Sequence, residues 1–307
     1  MNLLFFGTPD FASSSLERLV RSRHTVVGVV TQPDRPKGRG RKLAPSPVKS
    51  VAQKHGLAVF QPEKASAPEF VKTLRAVGPD LAVVVAYGEI LKRAILDLPK
   101  HGAVNLHASL LPKYRGGSPI QAAILNGDTL TGVTTIQMDE GMDTGNILLQ
   151  EEVAITEDDT AGTLHDKLAE VGARLLIETV DQLEAGTITP KPQNHELATY
   201  TRLIKKEDGV IDWNQTSGQV HNFVRAMNPW PLAHTRDGKY RIWMTSAPSK
   251  HKVGAQAGTV VQADDTGLVI AALDGTIRIE RLQAAGGKLM SAPEFLRGHT
   301  IRIGEKL

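Results

Sequence analysis

Asn105 and His107 stand two residues apart in Asn105-Leu106-His107-Ala108-Ser109-Leu110-Leu111-Pro112, which runs on into Lys113-Tyr114-Arg115-Gly116-Gly117. Side chains alternate between faces along an extended strand, so an amide and an imidazole at this spacing point the same way. Such a pair can polarise a carbonyl and shuttle a proton. Further on, Asp139-Glu140-Gly141-Met142-Asp143-Thr144-Gly145 sets carboxylates on a glycine-containing loop. A carboxylate beside His107 would fix the ring's tautomer and favour the imidazolium. Spacing alone leaves a plainer alternative open. A histidine at a strand end is more often hydrogen-bonded in place than catalytic, and Asp143 before Thr-Gly can serve its own turn.

Other chemistries are excluded more firmly. The chain has no cysteine, which rules out disulfides, thiolate nucleophiles, zinc ribbons and iron–sulfur ligation. Gly7-Thr8-Pro9-Asp10 sits where a dinucleotide-binding turn would, but it carries one glycine where that fingerprint needs three. Neither a P-loop nor His-Glu-x-x-His, Gly-x-Ser-x-Gly or an EF-hand loop occurs, and no metal site is expected.

The elements that must position these residues can be read from periodicity. Apolar runs at 3–6, 25–31, 57–60, 80–88 and 103–107 alternate with helical stretches. Thr8 and Pro9 read as the cap and first residue of a helix reaching about Arg23. Ser46-Pro47 opens a second helix, ending at Gly56, and the Ser66/Glu69 capping-box pattern opens a third that stops at Gly78. This is the pattern of an α/β fold with a Rossmann-like, doubly wound, mostly parallel sheet. It places His107 at a strand's carboxyl end, where open α/β sheets bind ligands.

From residue 132, GVTTIQM and NILLQEEV read as strands added at a sheet edge, and 160–185 as an amphipathic helix whose apolar face is Leu164, Leu168, Val171, Leu175, Ile177 and Leu183. Residues 190–208 read as a linker. A helix near 215–227 then ends at Asn228-Pro229-Trp230-Pro231. The short strands that follow are broken by Asp237-Gly238, Asp265-Thr266-Gly267 and Asp274-Gly275, which predicts a small C-terminal β-barrel. The expected domains are therefore 1–189, a linker at 190–208, and 209–307. Ser-Ala-Pro-Glu-Phe occurs at both 66–70 and 291–295, and both copies read as helix N-caps.

Length and composition suit a water-soluble protein of two domains: 307 residues, 41% hydrophobic and 22% charged. The N-terminus lacks the basic region of a signal peptide and no apolar run reaches membrane-spanning length, so a cytoplasmic location away from membranes is expected. The net charge of +3 is unevenly spread. Residues 1–189 hold 20 Lys and Arg against 22 Asp and Glu, yet 35–49 within them hold six basic residues and no acid. Residues 209–307 hold 12 basic and 8 acidic residues. A polyanion approached from two sides would explain this, as would a solvated loop on a mildly basic domain.

The two motifs together, Asn-x-His with Ser-Leu-Leu-Pro-x-Tyr-Arg-Gly and then Asp-x-Gly-x-Asp-Thr-Gly, resemble the signature of the 10-formyltetrahydrofolate-dependent formyltransferases. Phe6-Gly7-Thr8-Pro9-Asp10-Phe11, the segment from Gln32-Pro33-Asp34-Arg35-Pro36, Ala86-Tyr87-Gly88 and Asn228-Pro229-Trp230-Pro231 extend the resemblance over essentially the whole chain, to the branch acting on methionyl initiator tRNA. The resemblance implies 10-formyltetrahydrofolate as co-substrate, methionyl initiator tRNA as acceptor, no metal, and a monomer. It makes Asn105, His107 and Asp143 the catalytic positions. It places folate against Ser109, Leu110, Leu111 and Pro112, with the pterin held largely by backbone groups around Tyr87, Gly88, Ile90, Leu91 and Asp139. It makes 35–49 the insertion that meets the tRNA acceptor end, chiefly through Arg39, Arg41 and Lys42, and it makes the C-terminal barrel an oligonucleotide-binding-like domain.

Overall fold

Apolar runs and helical stretches alternate along the first half of the chain. In the computed structural model, which describes residues 1–37 and 42–307, they build one seven-stranded sheet flanked by helices. β1 (Asn2–Gly7) leads to α1 (Asp10–Val20), β2 (Thr25–Val30), a short hairpin of β3 (Arg35–Lys37) and β4 (Lys42–Ala44), α2 (Pro47–Lys54) and β5 (Val59–Phe60). The chain returns through α3 (Pro68–Val77), β6 (Leu81–Val85), α4 (Arg93–Leu96) and β7 (Ala103–His107). Next come β8 (Arg115–Gly116), α5 (Pro119–Leu125), β9 (Leu130–Gln137), β10 (Ile147–Ala154) and α6 (Ala161–Ala185).

The strand order is β10-β9-β7-β6-β1-β2-β5. β1, β2, β5, β6 and β7 run parallel, and β9 is antiparallel to β7. The chain starts at β1, steps outward to β5, then jumps to the other side of β1. Winding therefore reverses between β1 and β6, and the crevice beyond their carboxyl ends is the ligand position of such sheets. Every residue of β6 is buried, as its unbroken apolar run requires. Leu4, Phe6, Val30, Leu74, Ala82 and Val84 form one core cluster. On α6, Leu164, Leu168, Leu175, Leu176 and Val180 are buried, whereas Val171, Ile177 and Leu183 sit half-buried at the margin of the expected face.

Several local expectations are corrected. Thr8 does not cap α1: Pro9 is the N-cap residue, and the Thr8 hydroxyl donates to the Tyr87 carbonyl at 2.8 Å, bridging the loops that follow β1 and β6. α1 ends at Val20, short of Arg23. Ser66 does not cap α3, because the Ala67 amide donates to the Lys64 carbonyl and draws Ser66 into a turn, leaving Ala67 at the cap. The basic stretch 35–49 is not one loop. Its arms are β3 and β4, its end is the first turn of α2, and Lys49 is ion-paired to Asp34 at 2.7 Å. Lys49, with the Gln61 amide, holds the Asp34 carboxyl below the usual carboxylate range. Arg39 and Arg41 lie outside the described residues, and of Lys42 only the backbone is described.

Residues 190–208 carry two short 3-10 turns, His195–Leu197 and Lys206–Gly209, and β11 (Tyr200–Thr201). Beyond them come α7 (Ser217–Ala226), β12 (Ala233–His234), β13 (Tyr240–Thr245), β14 (Val260–Asp264), β15 (Gly267–Ala271), β16 (Thr276–Ala284), β17 (Leu289–Ser291) and α8 (Ala292–Gly298). The strands pair antiparallel in the order β12-β13-β16-β15-β14, with β17 on β16, as the small C-terminal barrel domain.

Contacts divide the chain into two compact units. One comprises Met1–Gly116, Thr131–Val153 and His165–Tyr200; the other comprises Gly117–Leu130, Ala154–Leu164 and Thr201–Leu307. Within the second, α5 packs on α7, and Arg225 donates to the carbonyls of Thr156 and Asp159 at 2.8 and 3.1 Å. No helix among the described residues is long and apolar enough to cross a membrane.

Candidate active site

β7 lies between β6 and β9, and its alternation sends Asn105 and His107 to one face. Leu106 points the other way, under Gly172 of α6, where a Cβ would come within 2.9 Å of it. That close approach seats the helix on the back of the strand that carries the polar pair. His107 is buried, and its Nε2 lies 2.9 Å from the Tyr114 carbonyl oxygen. A carbonyl oxygen only accepts, so Nε2 carries a proton, and Nδ1 faces the site.

The segment after β7 is pinned from below. The Thr134 hydroxyl donates to the Ser109 carbonyl at 2.6 Å and accepts from the Leu111 amide at 3.1 Å, and Gln150 Nε2 donates to the Leu111 carbonyl at 2.9 Å. The Ser109 hydroxyl closes a turn onto the Lys113 carbonyl at 2.6 Å. Thr134 and Gln150, on β9 and β10, thus set the frame for the residues after His107. Sequence reasoning missed them, although a polar residue inside a buried strand such as GVTTIQM signals a specific partner.

Asp143 arrives from an unexpected direction. β9 runs antiparallel to β7, with Gln137 opposite Val104, so the β9–β10 connection leaves from the amino end of β7. It folds back over the sheet face and brings the Asp143 carboxylate against the pair. Asn105 Nδ2 lies 3.4 Å from Oδ1, His107 Nδ1 lies 3.6 Å from Oδ2, and the Gly116 amide donates to Oδ2 at 2.8 Å. At 3.6 Å the imidazole and the carboxylate are close neighbours without a hydrogen bond. Asp143 holds a left-handed backbone, φ 53°, sparsely populated for a non-glycine residue. Asp139, at the start of the loop, accepts from the Gly141 amide at 3.0 Å and the Thr144 hydroxyl at 2.6 Å, which folds the loop on itself. Asp143, distant in sequence from Asn105 and His107, is therefore brought against them on one face.

The segment expected to be a linker contributes Gln193, which is buried. Its Nε2 donates to the carbonyls of Asp143 and Gly145 at 2.8 and 2.7 Å, and its Oε1 accepts from Arg115 Nε and Nη2 at 3.2 and 2.6 Å. Arg115 is itself fully buried and also meets His195 Nδ1 and the Tyr200 hydroxyl, each at 3.1 Å. Nothing in the composition of that polar stretch marks Gln193.

The remaining positions, Asp139 excepted, fall along the carboxyl ends of β6 and β7. Tyr87, Leu91, Ser109 and Leu111 are buried, Ile90 is exposed, and Gly88 takes a positive φ of 90°. Tyr87 packs edge-on to Phe6, burial pushes its phenol up to about 12, and its hydroxyl is buried without a hydrogen-bond partner among the described residues. Leu110 is half-buried, Pro112 follows a cis peptide, and Asp139 is exposed.

Two family models match: formyl transferase over residues 1–180 and the formyl transferase C-terminal domain over 203–300. The chain is 47% identical to a methionyl-tRNA formyltransferase of Acetivibrio thermocellus, covering 100% of this chain and 99% of the relative. It is 45% identical to that of Geobacter metallireducens, covering 100% and 98%. Among solved structures it is similar to an N-formyltransferase from Helicobacter canadensis in complex with folinic acid and dTDP-3-aminofucose. The TM-score is 0.65 at 21% identity, over 91% of this chain and 98% of that one. It is also similar to HypX from Aquifex aeolicus in complex with tetrahydrofolic acid, at a TM-score of 0.62 and 17% identity, over 96% of this chain and 47% of that one. Those two likenesses speak to the fold. The fold, the matched models and the full-length identity together place this chain in the formyl transferase family, among the methionyl-tRNA formyltransferases.

Proposed function

We propose that this chain transfers the formyl group of 10-formyltetrahydrofolate to the α-amino group of methionyl initiator tRNA, giving formylmethionyl-tRNA for the start of translation. The convergence of Asn105, His107 and Asp143 on one sheet face carries the reading. The donor supplies a formyl carbon already activated by its bond to N10, and the methionyl amine forms the new C–N bond as that bond breaks.

The side chains account for the charge and the proton. An amide nitrogen has two hydrogens, so Asn105 can meet Asp143 with one and the formyl oxygen with the other as that oxygen gains charge. As an imidazolium, His107 donates its Nδ1–H to the same oxygen, since Nε2–H is engaged by Tyr114. Asp143, held by the Gly116 amide, takes the proton released by the amine and passes it to the departing N10, so the reaction is balanced without a metal.

Folate lies, in this reading, along the carboxyl ends of β6 and β7, against Ser109, Leu110, Leu111, Pro112, Tyr87, Gly88, Ile90 and Leu91, and against Asp139 on the β9–β10 connection. Because the side chains of Tyr87, Leu91, Ser109 and Leu111 serve the interior, recognition there falls to backbone groups and to Ile90 and Leu110. Arg39, Arg41 and Lys42 would meet the tRNA backbone. A cytoplasmic location suits an aminoacyl-tRNA substrate, and one chain carries all three catalytic side chains, so a monomer suffices.

The test is formyl transfer from 10-formyltetrahydrofolate, with methionyl initiator tRNA, methionyl elongator tRNA and free methionine as acceptors. Selective formylation of the initiator species is expected. Asn105→Ala and His107→Ala should each lower turnover at least about a hundredfold, the scale of one lost oxyanion donor, with folding intact. Near-normal turnover in either variant would remove its residue from the mechanism.

A further inference from the structure

The Asp143 carboxylate is useful only if a strained loop holds it still, and the structure shows what does so. Asp143 has φ 53°, and its loop returns over the sheet from the far end of β7. Gln193 spans the gap between that loop and Arg115. A guanidinium has donors and no acceptor, so the end of the Gln193 amide that meets Arg115 Nε and Nη2 must be the oxygen. The nitrogen then faces the loop, and its two hydrogens go to the carbonyls of Asp143 and Gly145, at 2.8 and 2.7 Å. Arg115 therefore dictates which way the amide points, and the amide grips the loop on both sides of Thr144. The same short segment also grips the side chain, since the Gly116 amide donates to Asp143 Oδ2 at 2.8 Å. Tyr200 and His195 hold the guanidinium from behind.

We propose that Gln193, oriented by Arg115, is a positioning residue for Asp143: it fixes the backbone on which the carboxylate meets His107 and Asn105. The proposal rests on the role assigned above to Asp143. It gives 190–208 a part in the reaction through Asp143. Glutamine is required by polarity as well as by size. A glutamate would satisfy Arg115 equally well but would turn a carboxylate oxygen toward two carbonyl oxygens, and acceptors facing acceptors push the loop away.

The experiment measures kcat and both KM values for the full-length protein, with 10-formyltetrahydrofolate and methionyl initiator tRNA as substrates. The variants are Gln193→Ala, Gln193→Glu, Asp143→Ala and the two double variants. Each Gln193 change should lower kcat about 10- to 100-fold, the scale of an ångström-sized misplacement, with both KM values within about twofold of the parent. That loss should vanish when Asp143 is already alanine, because a residue acting through Asp143 has nothing left to position. Full kcat in both Gln193 variants beside an inactive Asp143→Ala overturns the positioning role and leaves the reading of Asp143 standing. A Gln193 effect that persists undiminished in the Asp143→Ala background, or a Gln193→Glu chain that does not fold, assigns Gln193 to general stability and likewise overturns it. Normal turnover in Asp143→Ala strikes the catalytic reading itself, and the positioning role falls with it.

Discussion

Asp143 depends on Gly145 as well as on its hydrogen bonds. The backbone at Gly145 passes so close to Gln137 that an added Cβ would overlap the Gln137 carbonyl oxygen, a backbone atom that cannot swing aside. Gly145→Ala must therefore open the neck of the hairpin and shift both carbonyls that Gln193 holds. We expect turnover to fall at least about tenfold, since near-ångström shifts of a reacting group are costly, while circular dichroism stays that of the parent. Parental turnover in Gly145→Ala would show that the loop absorbs the shift without moving its carboxylate. At this scale the sequence was informative where a local rule applies. Two residues on a strand share a face by backbone geometry, so the pairing of Asn105 with His107 could be read directly. Arg115 and Gln193 could not, because their roles come from contacts between segments nearly eighty positions apart, which composition does not encode. Thr134 falls between: its burial inside a strand hinted at a partner without naming it.

The two copies of Ser-Ala-Pro-Glu-Phe show how far an element can be read from its own residues. At 291–295 the pentapeptide closes a full capping box, with the Ser291 hydroxyl accepting from the Glu294 amide and the Glu294 carboxylate accepting from Ser291. At 66–70 the same residues begin the helix one position later, because Ala65 is tied to the Glu89 carboxylate at 3.2 Å and a turn from Lys64 consumes the cap position. Local chemistry proposes a start, and a tertiary hydrogen bond moves it. Ser291→Ala should therefore destabilise the C-terminal unit by about 1 kcal/mol, the usual worth of a serine cap, whereas Ser66→Ala should stay within about 0.5 kcal/mol of the parent. Denaturant midpoints of the two variants decide it, and equal shifts would mean that Ser66 caps α3 in solution. Thr8 follows the same logic: the Thr-Pro pair predicts a helix entry, which occurs, but the hydroxyl is drawn to Tyr87 across the switch point. Element types were legible from β-branched runs and turn residues. Caps were legible only where no neighbouring segment competed for the same donors.

At the scale of the whole molecule, the charge distribution bears on tRNA. Residues 35–49 concentrate six basic side chains in a half of the chain that is otherwise acidic, and Lys49 is already paired with Asp34. Of the remaining five, Arg35 and Lys37 belong to β3 and Lys42 to β4, while Arg39 and Arg41 lie outside the described residues, and Arg39, Arg41 and Lys42 are the ones assigned here to tRNA. Cations that meet phosphates displace counterions, so their contribution is read from the salt dependence of binding as well as from its strength. Replacing Arg39, Arg41 and Lys42 together by alanine should raise KM for methionyl initiator tRNA at moderate salt. It should also flatten the plot of log KM against log salt by about 2 to 3, for three lost phosphate contacts at 0.7 to 0.9 each. KM for 10-formyltetrahydrofolate should stay within about twofold, because the folate position proposed above, at the carboxyl ends of β6 and β7, draws on none of the three. A steep salt dependence that survives the triple substitution would move the tRNA contact to residues 209–307, whose 12 basic and 8 acidic residues are the other concentration of positive charge. A shallow one in the unsubstituted protein would mean that the acceptor end is held by shape and stacking, with the basic hairpin serving only as a solvated surface.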